Sequence, residues 1–185
     1  MRAPEIRPRR AFLKWIYGGI SGLTGLVLLA THLVAYSPET AFLWELITRL
    51  DLPGALARIV ISLFWIHAAW TDVPVQTQHD LRISPGKALG FLFVPFVNLY
   101  WTFAMPWRLC TAIDRVLVEA GRARAAPFAV ALLAPTLNVL HAILTKTTAG
   151  VPVFLTFVAT SALWFLFMVR CDRARAGMLH ARQAK

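Results

Sequence analysis

Four long apolar runs restrict what this chain can become. Trp15–Tyr36, Ala55–Thr71, Pro127–Thr145 and Val151–Val169 hold 22, 17, 19 and 19 residues with few charges. At ~1.5 Å per helical residue these lengths match the ~30 Å hydrocarbon core of a bilayer. Lipid offers the backbone no hydrogen bonds, so each run is expected as a helix that satisfies its own N–H and C=O groups. The composition agrees. Only 15% of residues are charged, against ~25% in soluble domains. A single membrane domain over residues 1–185 is expected.

Charge distribution decides the topology. Arg2, Arg7, Arg9, Arg10 and Lys14 precede the first run. This resembles a signal peptide, but the run outlasts the ~7–15 residues of a signal core. An uncleaved first span is expected. Beyond it, the stretch Ala88–Met105 either crosses the membrane as a fifth span or enters and returns. With four spans and both termini inside, 16 of the 19 Lys and Arg residues lie on the cytoplasmic side. That distribution obeys the positive-inside rule, and the five-span alternative does not. The net charge of +10 is then a membrane signature. No nucleic-acid-binding module accompanies it, so no nucleic-acid partner is expected.

The central stretch over 84–106 has the most specified sequence. Ser84 suits an N-cap and Pro85 the first helical position, with Gly86 following. Pro95 breaks the apolar segment, Asn98 lies one turn on, and Pro106 is expected to close it. Irregular backbone at membrane depth is tolerated where protein surrounds it, so a re-entrant or interfacial segment is expected. Over 107–124, Leu109, Ile113, Val116, Leu117 and Ala120 share one helical face, with Arg108, Thr111, Arg115, Glu119 and Arg122 on the other. That pattern predicts an amphipathic helix on the inner surface. Upstream, a short interfacial helix is expected around Phe42–Leu50, and a turn at Asp51–Gly54. Arg58 is expected to snorkel to the headgroups. The segment Arg82-x-Ser84-Pro85-Gly86-x-Ala88-x-Gly90, followed by Phe93-x-Pro95-x-x-Asn98-Leu99, resembles the core of a family of uncharacterised bacterial multi-pass membrane proteins. That family is known only as a domain of unknown function. The resemblance implies a helical membrane fold and a bacterial inner-membrane location, and no activity.

Gly18, Gly22 and Gly25 lie on nearly one face of the first run, a pattern that lets a second helix approach closely in lipid. His32 and His141 share a depth near the outer ends of their spans. Such a pair could hold haem or a chlorophyll-type pigment by axial ligation. A structural hydrogen bond, for His141 to Asn138, is the favoured reading, and no cofactor or metal is expected. His67 lies at the other end of its span. Cys110 and Cys171 are expected as free thiols. Asp114 is expected to pair with Arg108 or Arg115. No catalytic motif can be placed on a suitable element, so an enzyme is not expected. The expected function is a non-catalytic accessory protein of the cell inner membrane. Its partners would be the lipid bilayer and other integral membrane subunits of a larger complex. The alternatives are a haem- or pigment-binding subunit and a small transporter or channel.

Overall fold

Every element is helical in the computed structural model, which describes residues 8–33, 39, 41–147 and 151–183. In chain order these are α1 (Pro8–Leu33), α2 (Ala41–Asp72), α3 (Val75–Asp80), α4 (Pro85–Gly90), a 3-10 turn (Phe91–Phe93), α5 (Val97–Glu119), α6 (Phe128–Thr147) and α7 (Val151–Gln183). Four of them, α1, α2, α6 and α7, are long and apolar enough to cross a membrane. Helix α5 is not among them. Helix α7 packs on α1, α5 and α6, and α2 packs on α1 and α4.

Three helices run further than the residue pattern suggests. Residues 41–54 form neither a separate interfacial helix nor a turn, because α2 continues through Pro53. A proline inside a helix costs roughly 3 kcal/mol. Leu50, Leu52, Ala55, Leu56 and Ala57 around it are good helix formers, and an opened backbone beside lipid would leave more than one polar group unmet. The same balance carries α5 through Pro106, which is buried inside the helix rather than closing the segment before it. The expected helix at 107–124 is therefore the second half of α5. It ends at Glu119, earlier than expected, because Gly121 takes φ 71°. There Arg122 N–H donates to the Leu117 carbonyl and Gly121 N–H to that of Val118, both at 2.9 Å. Glycine enters this left-handed conformation without steric cost, which makes it a common helix stop. The basic segment after Val169 is no loose tail. It is the continuation of α7, whose 33 residues span about 50 Å.

The core lies at one end of the bundle. Trp65 and Trp70 of α2, Leu109 and Ile113 of α5, and Phe167, Met168 and Met178 of α7 are almost fully buried. Within the core Cys110 and Cys171 are both free thiols and lie side by side. Helix α2 ends against α3, where Gln78 Nε2 donates to the carbonyls of Trp70 (3.0 Å) and Val73 (2.7 Å). These bonds satisfy two acceptors that any helix C-terminus leaves open.

A charge network closes this end. Asp172 of α7 accepts from Lys14 Nζ of α1 at 2.9 Å, from Arg175 Nη1 at 2.8 Å and from Trp65 Nε1 of α2 at 3.2 Å. Arg175 also pairs with Asp72, the last residue of α2. Arg175 is only 6% exposed. Two carboxylates and two cations from three helices therefore pair with one another. Removing one partner from a buried set leaves an uncompensated charge, which costs about 3–5 kcal/mol. Asp172→Ala should lower unfolding stability in detergent by that amount. Arg115→Ala, which breaks the half-exposed pair with Asp80 at 3.1 Å, should cost less than about 1 kcal/mol. Equal losses from the two variants would show that the network is not the stronger tie.

Candidate functional site

The central stretch doubles back on itself. Ser84 Oγ accepts from Lys87 N–H at 3.2 Å, and Pro85 takes the first position of α4. Gly86 is exposed and a Cβ there would meet nothing. After the 3-10 turn the chain reverses at Pro95–Val97. The Pro95 carbonyl accepts from Val97 N–H at 2.7 Å across Phe96, which has φ 63° and ψ −42°. That is a γ-turn of the strained, positive-φ kind. Asn98 N–H donates to the Val94 carbonyl at 2.9 Å, and α5 begins. The return is pinned by Trp101, whose indole N–H donates to the Ala88 carbonyl at 2.7 Å in a buried bond. Its ring stands edge-on to Phe91 at 4.9 Å. Phe96 is 97% exposed, so its side chain contributes nothing to offset the backbone strain.

The reversal places the 3-10 turn and the start of α5 beside the middle of the spans. They frame a half-open pocket of about 440 Å³. Its polar lining is drawn from every long helix. Tyr17 comes from α1, Arg58 and Ser62 from α2, Asn98 and Thr102 from α5, Asn138 from α6, and Thr160 from α7. Trp164 closes the back, donating its indole N–H to Ser62 Oγ at 3.1 Å. The Arg58 guanidinium lies 4.8 Å from the centre of the Phe157 ring, a cation–π arrangement. Arg58 therefore faces the bundle interior, where snorkelling to the headgroups was expected. Among the described residues none of the lining side chains is acidic.

Polar groups in this pocket are not all satisfied. The Thr102 hydroxyl sits between the backbone oxygen of Asn98 (2.8 Å) and its Oδ1 (3.2 Å). Among the described residues, the buried Thr160 hydroxyl has no hydrogen-bond partner. Asn98 and Asn138 are both exposed at the opening. Polar side chains at membrane depth are costly unless paired, and they mark sites by default.

The other candidate residues fall elsewhere. Gly18 and Gly25 face α7. A Cβ at Gly18 would come within 3.1 Å of the Phe165 ring, and one at Gly25 within 3.6 Å of Phe157. Gly22 has open space beside it, in a groove of about 540 Å³ between α1 and α7. His141 Nδ1 is 3.0 Å from Thr156 Oγ1 on the adjacent α7, and its ring lies 5.9 Å from that of Phe157. His32 belongs to α1, but its side chain lies outside the described residues. Helices α1 and α6 each pack on α7. His67 is exposed on α2. Among the described residues no group of His, Cys, Asp and Glu is arranged to hold a metal. Asp114 pairs with neither Arg108 nor Arg115. Its Oδ1 accepts from the backbone N–H groups of Ala125 (3.0 Å) and Ala126 (2.9 Å), tying the α5–α6 connection to α5. Arg115 is instead drawn to Asp80.

Four spanning-length helices around a polar pocket define a multi-pass α-helical membrane protein. The chain belongs to the DUF4328 family, a domain of unknown function, whose family profile matches residues 39–133, just over half of the chain. The matched region holds α2, the reversal and α5, the elements that carry Arg58, Asn98 and Thr102. Neither a curated protein nor a solved structure shows a significant match.

The strained reversal generates a test. Phe96→Gly removes the cost of a positive φ in a non-glycine residue, of order 1 kcal/mol, and should raise the melting temperature in detergent or leave it unchanged. Phe96→Val, β-branched, should lower it. The opposite order would contradict the γ-turn.

Proposed function

We propose that this protein is a non-catalytic accessory subunit of a larger complex in a bacterial inner membrane, with both termini in the cytoplasm. One observation carries this reading. The polar pocket is half open between the spans, with Asn98 and Asn138 exposed on its lining and Arg58 within. Lipid chains offer such groups nothing. Side-chain hydrogen bonds between helices are a main source of attraction in bilayers. The occupant of the mouth is a transmembrane helix of a partner subunit, one with a carboxylate or amide facing Arg58 and the two asparagines. A carboxylate would form the two parallel bonds for which a guanidinium is suited. The basic surface around Arg82–Arg124 and the basic end of α7 face the cytoplasm, as the positive-inside rule requires. In this reading the central stretch is a re-entrant element, the protein carries no cofactor, and His141 is held by Thr156 for packing alone.

Site-specific photo-crosslinking in native membranes tests the proposal. A crosslinker at Asn138 should give one discrete adduct with a second integral membrane polypeptide. The same group at Phe64, exposed on α2, should give none. Arg58→Ala should weaken the Asn138 adduct at least tenfold. Adducts with lipid only, or with a second copy of this chain, would contradict the reading. So would a Soret-like absorption band in the purified protein that His141→Ala abolished.

A further inference from the structure

A second cleft, at the charged end of the bundle, is independent of the polar pocket. It measures about 410 Å³ and lies between α7 and the α5–α6 connection. Arg122, Arg170 and Arg173 line it, over a floor that includes Ala126, Ala174 and Gly177. All three arginines are exposed. Among the described residues none of them makes an ion pair, and no acidic side chain lines the cleft. The nearby Asp114 is already occupied by the two backbone N–H groups that shape the connection. The cleft is thus a concentration of positive charge with small residues at its base, open enough for a bulky anion to approach.

Its level along the bundle is set by sequence and packing. The apolar part of α7 stops at Val169 and Arg170 begins the cleft. Just before α6, Pro127 lines the cleft, and the first residue of α6, Phe128, packs edge-on against Trp107 with ring centres 4.7 Å apart. Tryptophan, with its amphipathic ring, is enriched at the membrane–water interface. The cleft therefore stands where phosphate headgroups lie, and a lipid reaching it keeps its chains in the hydrocarbon.

We infer that this cleft binds the phosphate of an anionic phospholipid, with Arg122, Arg170 and Arg173 as its ligands. Guanidinium forks bond phosphate oxygens bidentately, and basic clefts between membrane helices on one leaflet side suit such headgroups. Three cations favour a lipid with two phosphates over one with a single phosphate. The bound lipid would join α7 to the α5–α6 connection at the membrane surface.

Native mass spectrometry of the full chain, delipidated in detergent and titrated with defined lipids, tests this. The wild type should bind a diphosphatidylglycerol more tightly than phosphatidylglycerol, and phosphatidylcholine least. Arg170→Gln and Arg173→Gln should each weaken diphosphatidylglycerol about fivefold, and Arg122→Gln similarly. Arg115→Gln, outside the cleft, should leave the affinity unchanged. Equal binding of phosphatidylcholine, or an equal loss in Arg115→Gln, would overturn the inference. Displacement of the lipid by equimolar inorganic phosphate would also overturn it, since a soluble anion would then be the ligand. Arg58→Ala should not affect this binding, so the result stands apart from the fate of the proposed subunit contact.

Discussion

The buried pairing of Asp172 and Arg175 with Lys14 and Asp72 is the constraint on which the helix arrangement depends. It joins the start of α1, the end of α2 and the distal part of α7 at one level. In lipid, apolar side chains gain little by meeting one another, because the tails are equally apolar. Directional contacts must therefore decide which helices are neighbours. The indole N–H of Trp65 adds a third donor to Asp172, so the central carboxylate is engaged from three sides. Once these ends are tied, the apolar core of Trp70, Leu109, Ile113, Phe167 and Met178 can form around the second half of α5.

That arrangement has a consequence for the middle of the bundle. Helix α5 is fixed at its C-terminal half by Asp114 and by packing on α7. Its N-terminal half reaches inward only because the chain reverses at Phe96 and Trp101 clamps α5 to α4. The reversal is strained and the clamp is a single buried hydrogen bond with one aromatic contact. A polar pocket with Arg58, Asn98 and Asn138 remains between spans that are otherwise apolar. Stable packing would have favoured leucine at these positions, and their polarity supports a binding role.

Much of the fold was legible in the sequence because bilayer thickness imposes a length on apolar runs. The four runs correspond to α1, α2, α6 and α7, and the chain's membership of a family of unknown function agrees with the resemblance carried by its central segment. What was not legible depends on tertiary context. Pro53 and Pro106 are read locally as helix ends, yet their surroundings make a continuous helix cheaper than an open one. The γ-turn at Phe96 has no local signal, since a phenylalanine with positive φ is not something a sequence pattern announces. The four-charge network was hidden because Arg175 and Asp172 lie in what looks like a basic tail, and pairing across 103 and 158 positions (Asp72–Arg175 and Lys14–Asp172) leaves no periodicity. Arg58 did carry a signal. An arginine in an apolar run is a site candidate by default, and its place in the first turn pointed instead toward the headgroups.

A double-mutant cycle on Asp72 and Arg175 tests the central claim most directly, with unfolding in detergent as the readout. If the charge network fixes the bundle, Asp72→Ala and Arg175→Ala will be strongly non-additive, with a coupling of about 1–3 kcal/mol. If the two losses simply add, the pair does not act as a unit, and the helices are held by their apolar contacts alone.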